Sequence, residues 1–186
     1  MTTEQPKRLF IAVAFPPEVR EAFLALRDVL DEPKILHSGN VHLTLRFLGD
    51  AAPELIPSLV EALKEVRAPR FDLAFSAFGS FRSGRGQILI AHLVQNDRLM
   101  ELRKKIDAVV NDRFPFPREK KLYTPHATLA RLPYPAKVVA RAKDLGRVPA
   151  PGFPVTSFGL YQSVLTHPAA VHTLLSGFEL DEDAPA

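Results

Sequence analysis

A chain of 186 residues, 46% hydrophobic and 24% charged, has an ordinary globular composition and is long enough to bury roughly two-thirds of its unfolded surface in a core. It contains no Cys, which excludes a disulfide framework, a thiolate zinc site, an iron–sulfur cluster and a Cys nucleophile. Its 24 Lys and Arg against 21 Asp and Glu leave a net charge of +3, less than a strongly basic nucleic-acid binder shows, despite a pI near 9.3. The apolar run from Leu9 to Phe15, closed by Pro16 and Pro17, predicts a buried strand. Glu18 to Leu30 has helical apolar spacing, with the prolines at its head suiting a helix start. A loop through His37, Ser38, Gly39 and Asn40 leads to a strand from Val41 to Leu48, turned by Gly49 and Asp50. Pro53 to Val66 is the second predicted helix, ended by Pro69.

Phe71 to Phe81 alternates and predicts one strand with a buried face; with Gln87 to Val94 it forms a predicted hairpin about the turn Ser83 to Gly86. Asn96 or Asp97 caps a third helix running to about Arg113. Phe114 to Lys121 is a basic, proline-broken loop, and its run Arg118 to Lys121 reads as solvated rather than as an RNA-tracking patch. Tyr123 to Leu132 is a strand, Ala136 to Leu145 a short helix, and Phe153 to Leu165 with Ala170 to Leu180 a closing hairpin around Thr166, His167 and Pro168. Strands, helices and hairpins are mixed, so the fold class expected is α+β. The opening MTTEQPKRLF lacks the apolar core of a secretory signal, and no apolar stretch approaches the ~20 residues of a membrane helix. A soluble cytoplasmic chain is expected, with a frayed tail over 181–186.

Two short stretches resemble each other: His42-Leu43-Thr44-Leu45 and His126-Ala127-Thr128-Leu129, 84 residues apart. With 6 His and 8 Thr in the chain, fewer than one His-x-Thr is expected by chance. On a strand, residues i and i+2 share a face, so each stretch displays one imidazole and one hydroxyl while Leu43 and Leu45, or Ala127 and Leu129, point to a core. Two such pairs facing each other suit phosphoryl transfer. One neutral His can take a proton from water and one protonated His can supply the leaving oxygen, each role being worth roughly 10²–10⁴ in rate. The hydroxyls can donate to the non-bridging phosphate oxygens. None of these roles needs a metal or a cofactor.

The chain here resembles the two-histidine phosphoesterases, and within them the RNA 2',3'-cyclic phosphodiesterase group, historically called 2'-5' RNA ligases. The resemblance spans Arg8 to Leu180 and includes 8–13 (RLFIAV), 40–49 (NVHLTLRFLG), 78–81 (FGSF), 125–131 (PHATLAR) and 160–163 (LYQS). It implies a single domain over 1–186 made of two pseudo-symmetric lobes, with antiparallel sheets lining a central cleft and helices outside. Each lobe supplies one His-x-Thr strand, around 42–45 and 126–129. It implies that His42 is the general acid, that His126 is the general base, that Thr44 and Thr128 bind phosphate, and that Arg131 clamps it. The reaction implied is hydrolysis of a 2',3'-cyclic phosphate at an RNA 3' end, or in a small cyclic nucleotide, to a 2'-phosphomonoester. A non-catalytic module of the same fold that binds RNA ends, and 2'-5' ligation, are the alternatives. A monomer is expected, with no membrane partner.

Arg131 lies five residues after His126, the wrong parity for a regular strand, so a bulge or the strand end has to redirect it. Tyr123 and Phe47 are candidates to stack on the terminal base. His37, His92, His167 and His172 lack a Thr partner at the right spacing and read as structural. The Ser83 to Gly86 turn joins two strands with no helix behind it and is not a phosphate loop, which leaves Arg82 and Arg85 as secondary candidates for a backbone phosphate. The chain departs from the group's usual pattern at Ile35 and Leu36, where an aromatic residue is common, and at Ala169 and His172, where Gly and Tyr are.

Overall fold

A computed structural model describes residues 5–35, 41–84, 86–119, 121–166 and 170–182. The elements run β1 (Lys7–Ala14), α1 (Pro17–Leu30), β2 (His42–Ala51), α2 (Leu55–Leu63), β3 (Phe71–Leu73), β4 (Phe75–Ser83), β5 (Gly86–Leu93), α3 (Asp97–Arg113), β6 (His126–Pro133), α4 (Lys137–Asp144), β7 (Phe153–Val155), β8 (Ser157–Val164) and β9 (Val171–Glu179). The fold is α+β. Seven strands form one sheet in the order β4-β5-β6-β2-β1-β8-β9, with antiparallel pairings throughout, and β3 pairs with β7 apart from it.

The helices form for local reasons and then pack by one face. Pro17 opens α1 with its φ already set, and Val19, Phe23, Leu26 and Leu30 make its buried stripe. The Asn96 side chain accepts from the Leu99 N–H at 2.9 Å, as the sequence predicted, and starts α3, which buries Leu99, Leu102, Ile106 and Val110. These stripes join Leu9, Ile11 and Val13 of β1 and the leucines of β2 and β6 in one continuous core.

The order of elements repeats. Strand, helix, strand, helix, short strand and long strand occur as β1-α1-β2-α2-β3-β4 and again as β5-α3-β6-α4-β7-β8, with β9 added. The last strand of each run crosses over: β4 pairs with β5 and β8 pairs with β1. The sheet therefore has two strand groups, β4-β5-β6 and β2-β1-β8-β9, and among the described residues they are joined at one pair, Leu43 opposite Ala127.

Two long strands in the sequence reading are each broken in two. Phe71 to Phe81 splits at Ala74 and Phe153 to Leu165 splits at Thr156. The first three residues of each pair with one another, Asp72 opposite Pro154, and the rest enter the large sheet. At the first break the Ala74 carbonyl accepts from the Val94 N–H at 2.8 Å, and the register shifts between Phe75 and Phe78. The shift buries Phe78, which the predicted alternation had placed outward. The predicted loop from Phe114 is partly built in, with Phe114 stacked on Phe116; in the run read as solvated Arg118 and Lys121 are exposed, while Glu119 pairs with Arg103 at 2.7 Å. Residues 36–40, 85, 120, 167–169 and 183–186 lie outside the described residues, and with them the expectations for Leu36, His37, Arg85, His167 and Ala169 and the loop and turn predicted there.

Candidate active site

In β2, Arg46 is opposite Ile11 and Thr44 is opposite Ala12, so Leu45 is an extra residue. In β6, Ala130 is opposite Leu89 and Thr128 is opposite Ile90, so Leu129 is extra. The two bulges fall at the same place after each motif. Each one reverses the alternation of its strand. His42, Thr44 and Phe47 therefore share one face of the sheet, and so do His126, Thr128 and Arg131. The parity problem at Arg131 is resolved by this bulge. Both bulges also let leucines three apart, Leu45 with Leu48 and Leu129 with Leu132, be buried on the opposite side.

The bridge between Leu43 and Ala127 sets the geometry of the four motif side chains. In its antiparallel register His42 lies opposite Thr128 and Thr44 lies opposite His126, with the imidazoles on a diagonal. Diagonal neighbours on a regular pair have Cβ atoms about 7–8 Å apart, close enough for two rings to address one phosphorus from opposite sides. Arg131 lies further along β6 on the same face and is exposed, and Phe47, 62% exposed, holds the equivalent place on β2.

The two imidazoles have different surroundings. His126 Nδ1 is 2.7 Å from the Thr124 carbonyl, which only accepts, so Nδ1 carries a proton and a neutral ring presents Nε2 as a base. Phe81 meets this ring edge-on at 4.9 Å. His42 instead stacks on the face of Phe10 at 4.8 Å and 28°, and His172 meets it edge-on at 5.2 Å. Phe10 in turn stacks on Tyr161 at 5.3 Å and packs against Phe47 and His172.

His92 and His172, read from the sequence as structural, are each placed beside one motif histidine. His92 is the cross-strand partner of His126, and burial, followed by the charges of His126 and Lys143, holds its pKa below the ordinary value. Burial likewise lowers the pKa of His172, whose Nδ1 is buried without a hydrogen-bond partner. Close approach explains two glycines here. A Cβ on Gly79 would come within 2.3 Å of His92 Nε2, and one on Gly159 within 2.6 Å of Leu174 Cδ1. Gly79 and Gly159 belong to a second repeat that the sequence reading missed, 78–81 (FGSF) and 158–161 (FGLY), which sets Phe81 against His126 and Tyr161 against Phe10, the ring that stacks on His42.

Tyr123 is placed against β2 rather than facing open space. Its hydroxyl donates to the Thr44 carbonyl at 2.8 Å and the Arg103 guanidinium lies 4.3 Å from its ring centre. Burial raises its pKa. Arg82 alternates to the face opposite Phe81, with its guanidinium 4.2 Å from the Tyr134 ring centre, away from the motif histidines. Arg46 points behind the sheet, 1% exposed, to Asp107 at 2.5 Å, Asn111 at 2.9 Å and the Pro117 carbonyl at 2.9 Å. Among the described residues there is no cluster of three or more His, Asp or Glu placed to hold a metal ion, and no helix long and apolar enough to cross a membrane.

Comparison with known proteins bears on this arrangement. The sequence profile of the 2'-5' RNA ligase superfamily matches residues 15–166. The chain is 27% identical over 186 residues to the RNA 2',3'-cyclic phosphodiesterase of Escherichia coli K12, covering 96% of this chain and 99% of the relative. It is 29% identical over 177 residues to the protein of the same name from Thermotoga maritima, covering 90% and 92%. Among solved structures, E. coli LigT without ligand superposes with a TM-score of 0.76 at 26% identity, covering 95% of this chain and 99% of that one. LigT has also been crystallised with 3'-AMP, and that structure superposes equally well. A protein from Thermus thermophilus superposes with a TM-score of 0.75 at 29% identity, covering 95% and 100%.

Proposed function

Because the chain belongs to the 2'-5' RNA ligase superfamily, we propose that it hydrolyses RNA 2',3'-cyclic phosphate ends, and small 2',3'-cyclic nucleotides, to 2'-phosphomonoesters by two-histidine acid–base catalysis. The observation that carries this reading is the pairing of His42, Thr44, His126 and Thr128 on one face of the sheet at the Leu43–Ala127 bridge between the two strand groups. Curated relatives named RNA 2',3'-cyclic phosphodiesterase support the substrate class.

Chemistry follows from the ring environments. His126 Nε2 takes a proton from water as the water oxygen bonds to phosphorus. The bond from phosphorus to the 3' oxygen breaks on the opposite side, and His42 delivers a proton to that oxygen. The Thr124 carbonyl favours His126 as base because it holds the proton on Nδ1 and so leaves Nε2 open. The face of Phe10 suits His42 as acid, since an aromatic face attracts a cationic ring. Thr44 and Thr128 donate to the non-bridging oxygens, Arg131 offers a guanidinium to the same charge, and Phe47 offers an exposed ring to the terminal base. The reaction runs without a metal ion. A monomer acting in the cytoplasm is the state we assign to it.

The test is turnover of adenosine 2',3'-cyclic phosphate and of a cyclic-ended oligonucleotide, with chromatographic separation of 2'- from 3'-phosphate. His42→Ala and His126→Ala should each lower kcat by about 10² or more, EDTA should leave the rate intact, and Phe47→Leu should raise KM. Formation of 3'-phosphate alone, or loss of activity with EDTA, refutes the mechanism. Tight binding of the cyclic nucleotide without product would make the protein a binding module, and joining of a 5'-hydroxyl strand in preference to hydrolysis would make it a ligase.

A further inference from the structure

Among the described residues the two strand groups meet at one pair, and the backbone of β2 beyond Leu43 has no strand on its β6 side. Side chains take that place. The Thr44 carbonyl accepts from the Tyr123 hydroxyl at 2.8 Å, the Leu45 carbonyl accepts from Arg103 Nε at 3.1 Å, and the Phe47 N–H donates to Glu119 at 3.5 Å. Arg103 ties these together: it pairs with Glu119 at 2.7 Å and lies over the ring of Tyr123. The bulge that aims Thr44 and Phe47 is therefore held from outside its own strand.

The same short segment also holds the other motif. Thr124, the next residue, supplies the carbonyl that accepts a hydrogen bond from His126 Nδ1, and the Pro125 carbonyl accepts from the Leu93 N–H at 3.3 Å. Residues 123–126 thus touch Thr44 at one end and fix the imidazole of His126 at the other. By register Thr44 and His126 lie opposite one another across the seam.

We propose that Tyr123 is a positioning residue for the reaction, its hydroxyl holding the Thr44 half of the site in register with His126 so that both engage one phosphate. This rests on the hydrolytic reading above and replaces base stacking as the role of Tyr123. A burial environment that disfavours the phenolate keeps the hydroxyl a donor at all working pH values. A misplacement of the order of 1 Å between reacting groups can lower a rate by about 10², so loss of one such hydrogen bond should act on kcat with little effect on substrate binding.

The experiment is a double-mutant cycle between Tyr123→Phe and Thr44→Ala, read as kcat and KM on adenosine 2',3'-cyclic phosphate. Tyr123→Phe keeps the ring and its contact with Arg103, and a urea midpoint on each variant selects conditions where all are folded. The expected result is a loss in kcat of about tenfold for Tyr123→Phe with KM changed less than about twofold, and no further loss when it is added to Thr44→Ala. Losses that multiply in the double variant would show general loosening and overturn the proposal. An unchanged kcat with raised KM would restore base stacking and overturn it as well. Failure of the unsubstituted protein to turn over the nucleotide at all would defeat the hydrolytic reading and this inference with it, whereas the other two outcomes defeat only this one.

Discussion

Removing the carboxylate of Asp107 should damage the fold more than removing the arginine it neutralises. Arg46 is 1% exposed and Asp107 21% exposed, so the cation is the more deeply buried partner. Asp107→Ala leaves a buried guanidinium without its counter-ion, a change that typically costs about 3–5 kcal/mol. Asn111 and the Pro117 carbonyl still hold Arg46, which places the loss at the lower end, about 3 kcal/mol. Arg46→Met removes the charge itself and keeps most of the volume. Asp107 then retains Arg103 at 3.4 Å, and the main penalty is the Pro117 carbonyl losing its donor, about 1 kcal/mol. The two variants should therefore differ by about 2 kcal/mol, which at an m-value of about 2 kcal/mol/M is a gap of about 1 M in urea midpoint. Equilibrium urea unfolding with matched m-values measures this. Equal midpoints, or a larger loss for Arg46→Met, would refute the view that the pair is held for the sake of an already buried cation.

Gly79→Ala should destabilise by about 1–3 kcal/mol, because the added Cβ would meet His92 Nε2 at 2.3 Å, and combination with His92→Ser should restore most of the loss; a loss that is not restored would place the conflict elsewhere. His92 and His172 both have pKa values held below the ordinary His value of 6.5 by burial, so the unfolded chain binds more protons than the folded one just below that pH. Their contribution to stability is therefore present above pH 6.5 and lost as the pH falls through their folded values, and the urea midpoint of His92→Gln combined with His172→Gln should depend less on pH between 7.5 and 5 than that of the unsubstituted protein. Parallel pH dependences would refute it.

That the two His-x-Thr stretches share a site was legible in the sequence, and part of the architecture around them was not. His-x-Thr carries its own geometry, since any strand puts the two side chains on one face. The bulge had a weaker signature that can be read in retrospect: Leu45 with Leu48, and Leu129 with Leu132, cannot both be buried on a strand of strict period two. The break at Ala74 was hidden because Phe71 and Leu73 share the parity of Phe75, whereas at Thr156 the apolar positions change from Phe153 and Val155 to Phe158 and Leu160, a signal that could have been read. The contacts of His172 with Phe10 and His42 depend on β9 lying two strands from β1, a pairing that no local pattern encodes. Tyr123 was picked out for its ring, and its hydroxyl bond to the Thr44 carbonyl had no signature in the sequence. The repeat of Phe-Gly-x-aromatic was available to reading and was obscured by the different third residues, Ser80 and Leu160.

The crossing of β8 to β1 has a consequence for how the protein is made. The rings packed directly or through Phe10 around His42 come from residues 10, 47, 161 and 172, so one half of the site draws on both ends of the polypeptide. During synthesis β1 waits with an open edge while some 140 residues are added, and pairings of such long separation form slowly because the closing of the loop precedes any contact that stabilises it. His126 and its neighbours can settle earlier, since β4, β5 and β6 follow one another in the chain. The surroundings of His126 are thus a local structure, and those of His42 exist only once β8 and β9 have arrived.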